Sequence, residues 1–294
     1  MFKVAYHADY VHHVPENHRF PMAKYGLIFE QIQREGIAAE EHFVSPDIID
    51  LDLVGAVHDP EYIRDLLELR LDPRAQRKTG FVHNKQLVQR ELRIMEGTRL
   101  CAESALKYGA ALNIAGGTHH AYTNRGEGFC LLNDQAIAAK WLMDNNLSER
   151  IAVIDLDVHQ GNGTAEIFQE MDSVMTLSVH GRNNYPLHKE VSDIDIALED
   201  NTSDEEYLGI VGESLENVRK FRPDFIFYQC GVDVLQTDKL GKLGLSIEGC
   251  RKRDEMVLQF ASNHNLPVVC TMGGGYSAEI KTIVNAHVLS LIHI

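Results

Sequence analysis

Apolar residues along the chain fall into two alternating kinds of segment. Short unbroken runs rich in Val, Ile and Phe recur at Phe2 to Tyr6, Ala110 to Ile114, Ile151 to Asp155, Ser173 to Val179, Asp224 to Tyr228 and Leu266 to Thr271, the pattern of strands buried on both faces. Longer segments with apolar residues three and four apart, Asn84 to Tyr108, Asn133 to Asn146, Asp204 to Phe221 and Ile247 to Asn263, predict amphipathic helices. Ser203 followed by Glu206 marks a capping-box start for the third of these. Strand and helix alternating over the whole length imply right-handed crossovers, and hence a single α/β domain with a mostly parallel sheet and helices on both faces.

No repeat, low-complexity tract or linker divides residues 1–294, so no domain boundary is placed. Two stretches lack either period, Asp72 to Lys85 and Gly181 to Ser203. They are expected as long loops, one or both framing a substrate entrance.

Composition narrows the class. At 44% hydrophobic and 24% charged residues the chain is an ordinary folded protein, neither fibrous nor disordered. The net charge of -15 weighs against nucleic acid as a direct ligand and predicts a negative rim that attracts cationic substrates such as lysine-rich peptides or polyamines. Cys101, Cys130, Cys230, Cys250 and Cys270 are odd in number and set among apolar residues, which reads as reduced thiols in a cytoplasmic protein. No run approaches the roughly 18 apolar residues of a membrane span, and the start MFKVAYHADYVHH lacks a signal-peptide core.

The candidate chemistry sits just after the apolar runs, where ligands bind in open parallel sheets. Asp155, Asp157 and His159 are two apart in DLDVHQGNG, so in extended backbone their side chains project to one face. Asp157 and His159 supply two ligands for a catalytic zinc, and Asp233, after another strand, is the choice for the third. His119 and His120 follow a double glycine and suit a general base with an electrostatic or acid partner, oriented by Asp155 and Asn162. Tyr276 closes MGGGY, where its phenol can donate to an oxyanion. Taken singly, each of these has a bland reading as a cap, a packing residue or a hydrogen-bonded loop residue. Their coincidence after four strands outweighs it.

GGTHHA, GEGFCLLND, IDLDVHQGNGTAEIF, TLSVH, QCGVD and MGGGY, together with VHDPEYI from Val57 to Ile63, make the chain resemble the zinc-dependent histone deacetylases of the arginase/deacetylase superfamily. The resemblance implies their three-layer sandwich and assigns Asp157, His159 and Asp233 to zinc, His119 and His120 to the catalytic pair and Tyr276 to the oxyanion. It further implies a structural potassium site that takes Asp155, the hydroxyl of Ser178 and the main chain at Asp157, His159 and Val179, with Phe168 at a second monovalent site. The acyl-lysine channel would use Gly128, Phe129, Tyr185 and Gly274. Gln160 and Asn162 replace a second histidine and an aspartate at their positions. HQGNG resembles the class IV subgroup, which is associated with long-chain deacylation. The entrance aspartate of the family has no counterpart in the Asp72 to Lys85 stretch, and the closing LSLIHI does not resemble the usual continuation.

The expected function is therefore hydrolysis of an acyl group, acetyl or longer, from the ε-amine of lysine, with Zn2+ or Fe2+ as metal. The partner would be an acylated lysine in a protein or peptide. An acylpolyamine or other small amide is the second reading, and a metal-stabilised acyl-lysine binder is the third. The His pair and Tyr276 speak against a pure binder, which needs no proton shuttle. A two-metal ureohydrolase is disfavoured because it wants further bridging carboxylates.

Overall fold

The computed structural model describes residues 2–16 and 18–291. Eight strands, β1 (Lys3–Ala5), β2 (Phe43–Val44), β3 (Ala110–Asn113), β4 (Ile151–Asp155), β5 (Val174–Gly181), β6 (Ile194–Leu198), β7 (Phe225–Gln229) and β8 (Val268–Thr271), form one sheet. Their order is β2-β1-β3-β8-β7-β4-β5-β6, and every neighbouring pair is parallel. The α-helices among the described residues are α1 (Lys24–Arg34), α2 (Leu51–Gly55), α3 (Pro60–Leu67), α4 (Pro73–Thr79), α5 (Lys85–Tyr108), α6 (Asp134–Asp144), α7 (Asn162–Phe168), α8 (Asp204–Phe221), α9 (Ile247–Asn263) and α10 (Ile280–Leu291).

The unbroken apolar runs have a direct cause. Ala152 and Ile154 of β4 and Ile226 and Tyr228 of β7 feed one core with residues of α1, α8, α9 and α10. Ile151, Val153, Phe225 and Phe227, the alternate positions, feed a second core with the alanines of α6 and the carboxyl half of α5. Each strand thus buries both faces, as a parallel sheet between helices requires. Asn84 caps α5 by accepting from Leu87 N at 2.9 Å, and Ser203 caps α8 by accepting from Glu206 N at 3.4 Å. Among the described residues the reciprocal Glu206 half of the expected capping box is not formed.

Both stretches expected as loops carry regular structure. In Asp72 to Lys85, Asp72 accepts from Arg74 N and Ala75 N at 2.6 and 2.8 Å, Pro73 takes the first helical position, and Gly80 ends α4 in a left-handed conformation. This helix has polar residues all round, so only its caps betray it. In Gly181 to Ser203, β5 runs on through Gly181, and β6 follows, pairing in register with Leu177 to Gly181. As an edge strand, β6 alternates Ile194, Ile196 and Leu198 with Asp195 and Ala197 and lacks an unbroken run. Residues 289–291 of the LSLIHI segment continue α10, whereas 292–294 lie outside the described residues. Among the described residues no helix is long and apolar enough to cross a membrane.

Candidate active site

The carboxyl ends of β3, β4, β7 and β8 lie side by side, which brings GGTHH, DLDVH, QCGVD and MGGGY to one place. Asp157, His159 and Asp233 are all buried, and their ligand atoms lie within 4.8 Å of one another. Backbone amides aim the carboxylates: Val158 N donates to Asp233 Oδ1 at 3.0 Å, Gly274 N to Asp157 Oδ2 at 2.8 Å and His159 N to Asp157 Oδ1 at 3.0 Å. Asp233 Oδ2 is buried and accepts no hydrogen bond, although His159 Nδ1 stands 3.1 Å away. Proximity without hydrogen-bond geometry is how two ligands of one cation face each other.

The electrostatics follow from the same closeness of the three side chains. Burial and then the neighbouring Asp157 carboxylate push Asp233 up to about 7. Burial alone would lower His159, but hydrogen bonds and charge from Asp157 and Asp233 outweigh it and raise the imidazole to about 10, so this pocket favours positive charge between the two carboxylates. The donor set of two carboxylates and one imidazole fits zinc. Among the described residues it is the only such cluster, which suits one ion and not a two-metal centre.

The adjacent histidines sit in opposite environments. His119 Nδ1 is 2.6 Å from Asp155 Oδ2; burial lowers its proton affinity, but Asp155 and Asp157 overcome this and raise it to about 9. His120 Nδ1 donates to Asn162 Oδ1 at 2.6 Å, and the Asn162 amide is oriented by its own donation to the Tyr122 hydroxyl at 2.8 Å. Burial, then the imidazoles of His119 and His159, push His120 well below the usual histidine range. One ring is held cationic and the other neutral, with Nε2 of His120 left as an acceptor.

Above this floor a cavity of about 290 Å³ opens to solvent between Gly128, Phe129, Tyr185, His120, His159 and Tyr276. Tyr276 has its ring 5.9 Å from that of Phe129 and 6.3 Å from that of His159. Burial and the Asp233 and Asp157 carboxylates keep its phenol protonated by raising it well above the ordinary tyrosine value. Tyr185 is 39% exposed, turns a ring edge to His120 at 5.0 Å and donates its hydroxyl to Glu127 at 2.6 Å. Phe129 holds a left-handed backbone, φ 68°, because the carbonyls of Lys78 and Thr79 at the end of α4 accept from Gly128 N and Phe129 N at 3.0 Å each. Gly274 lies at the inner end of this opening, beside Gly128, Phe129, His120, His159 and Tyr276. It belongs to an inner cavity of about 30 Å³, and a Cβ there would be driven into Asp233 Oδ2.

The expected negative rim is also corrected. Arg19, Arg77, Lys78 and Lys242 line the mouth, with no carboxylate among the described lining residues. Net charge averages over the surface, and screening over roughly 8 Å lets local side chains set the sign at an opening. Of the residues assigned to potassium, Asp155 and Ser178 face each other in register and Val179 is buried beside them. Phe168, assigned to the second site, packs in the second core.

The histone deacetylase domain model matches residues 18–291. The chain is 42% identical over 99% of its length to an uncharacterized protein of Picosynechococcus sp., covering 97% of that protein. It is 32% identical to Histone deacetylase 2 of Arabidopsis thaliana, covering 91% of this chain and 72% of that one. A probable deacetylase of Archaeoglobus fulgidus is 30% identical over 94% of this chain and 81% of its own. A histone deacetylase homologue from Aquifex aeolicus superposes with a TM-score of 0.85 at 25% identity, over 99% of this chain and 83% of that structure. The chain belongs to the histone deacetylase family. It is a deacetylase hydrolase.

Several further residues shape this deacetylase site. Lys24 is 0% exposed and donates to Gly273 O at 2.8 Å. Burial pulls it down to about 8 against the opposing pull of Asp233 and Asp157. Asp238 Oδ2 accepts from Tyr276 N at 2.6 Å and fixes the backbone of that tyrosine. Asp134 accepts from Gly117 N and Thr118 N at 3.1 and 2.8 Å, which sets the turn before the histidine pair. Gln160 donates to Glu190 O and Asp195 Oδ1 at 2.7 and 2.8 Å, and so ties the segment behind Tyr185 to β6. Asp134 and Gln160 stand inside recognised motifs, which is the signal available for them. A lone lysine among aromatic residues offers none.

Proposed function

We propose that this deacetylase hydrolyses the amide of an acylated lysine with one zinc ion held by Asp157, His159 and Asp233. The observation that carries the reading is the buried Asp233 Oδ2, which accepts no hydrogen bond while facing two other ligand atoms. Ferrous iron suits the same donors. A bound zinc ion supplies Lewis acidity toward the amide carbonyl and lowers the pKa of a water toward about 7. His120, neutral and with its Nδ1–H committed to Asn162, takes the proton of that water at Nε2 and passes it to the departing amine. His119, held cationic on Asp155, stabilises the negative charge that develops beside it. Tyr276 donates a hydrogen bond from its phenol to the oxyanion and keeps its proton.

Acetyl is the acyl group this reading favours. The inner cavity of about 30 Å³ has room for one or two water-sized groups, and a long chain would have to open it. The facing pair Asp155 and Ser178, with Val179, is our choice for a structural potassium ion, and the Phe168 carbonyl for a second. Five buried free thiols support the cytoplasm as its location. The test is turnover of a fluorogenic acetyl-lysine before and after chelation. We expect activity to vanish with the metal and return with zinc; full activity in the metal-free protein would overturn the reading.

A further inference from the structure

We infer that the mouth of the channel selects acylated lysines flanked by acidic residues, and rejects acylated polyamines and lysine-rich tails. This rests on the deacylase reading above and names its substrate class. Three separate chain segments bring cations to the opening: Arg19 before α1, Arg77 and Lys78 in the last turn of α4, and Lys242 after β7. The first is pinned beside α4 by His18 Nε2, 2.9 Å from Gly80 O, and by His18 stacked on Phe81 at 5.5 Å. Arg77 and Lys78 alone would be explained by the helix end they occupy, but Arg19 and Lys242 belong to no such end.

Neutralisation is incomplete. Two carboxylates stand next to this rim: Glu127, shared between Lys78 at 2.8 Å, Arg125 at 3.1 Å and the Tyr185 hydroxyl at 2.6 Å, and Asp238, taken up by the backbone amides of Leu240, Gly241 and Tyr276. Among the described residues no carboxylate lies in ion-pair distance of Arg19, Arg77 or Lys242. A chain with a net charge of -15 therefore presents positive charge at the opening through which a substrate lysine must pass. Residues next to that lysine in an extended peptide lie about 3.3 Å apart, within reach of the rim. An acidic neighbour gains two or three partly exposed ion pairs, whereas the ammonium groups of a polyamine meet like charge.

The experiment uses zinc-loaded full-length protein and fluorescent peptides that share one acetyl-lysine and differ only in Asp/Glu, Ala or Lys/Arg flanks, beside N-acetylspermidine. Anisotropy reads binding and product release reads kcat/KM. We expect acidic over basic flanks by about tenfold at low salt, shrinking severalfold in 0.5 M NaCl. The double variant Arg77→Glu, Lys242→Glu should bring the ratio to one or below, with folding verified by its melting curve. The salt series on the unaltered protein reads the same electrostatics without any substitution. Binding blind to flank, or a preference for basic flanks or N-acetylspermidine, overturns the inference. Preferred binding of acidic peptides with no turnover of any of them would spare it and sink the deacylase reading instead.

Discussion

The floor and the mouth of this site are built in opposite ways. Asp155, Asp157, His159 and Asp233 are buried at strand ends, their side chains aimed by amides of neighbouring backbone. Arg19, Arg77, Lys78 and Lys242 at the mouth are exposed and come from unconnected segments. A buried charge that loses its partner has nothing to replace it, whereas water replaces a lost surface pair. The floor therefore sets whether the reaction occurs, and the mouth sets how fast each substrate is taken.

Substitutions should separate the two. The largest effect is expected for Asp233→Ala, which should lose bound zinc, read by elemental analysis, and lose turnover beyond the roughly 10⁴-fold of a missing proton-transfer group. A variant retaining both would break the contrast at its base. Next, His120→Ala should cost about 10²- to 10⁴-fold in kcat and Tyr276→Phe about 10²- to 10³-fold, with zinc content unchanged in each.

His58 tests a buried histidine outside the floor. It is 2% exposed; its Nε2 accepts from Asn133 N at 3.0 Å and its Nδ1 donates to Tyr122 O at 2.9 Å, so it ties the floor to the segment carrying Phe129. Burial lowers it to about 4, only partly opposed by hydrogen bonds to the Tyr122 and Thr123 carbonyls. Below its unfolded value near 6.5 the unfolded chain takes up a proton that the folded chain refuses. Stability is thus whole above that pH and falls as pH drops from 6.5 to 4, by about 3 kcal/mol in all. Urea unfolding across this range should show the slope, and His58→Gln should remove that part of it. The smallest effect is expected for Gly274→Ala, whose methyl displaces the Asp233 carboxylate and should weaken zinc binding about 10- to 100-fold, read by competition with a chromogenic chelator.

What was legible in the sequence follows the same division. Asp157 and His159 announce themselves as metal-competent residues directly after an apolar run, although β4 ends at Asp155 and a bent segment, not the extended backbone expected, carries them; the runs of β4 and β7 announce themselves because both of their faces are buried. β2, two residues long, is too short to carry a pattern, and β6 alternates, as a one-sided edge strand does. Helix α4 shows only in Asp72, Pro73 and Gly80. The mouth was misread because net charge is a property of the whole surface, while Arg19, Arg77 and Lys242 meet only once the chain has folded. Lys24 hides for a related reason: lysine signals solvent, and only the tertiary fold shows it buried against Gly273.

The most direct test of one metal on Asp157, His159 and Asp233 is anomalous diffraction at the zinc edge from crystals of the zinc-loaded protein. The expected result is a single strong peak per chain, bonded to one imidazole nitrogen and to carboxylate oxygens of residues 157 and 233. A zinc-loaded crystal with no peak there, or with the ion bound by other side chains, would contradict the account.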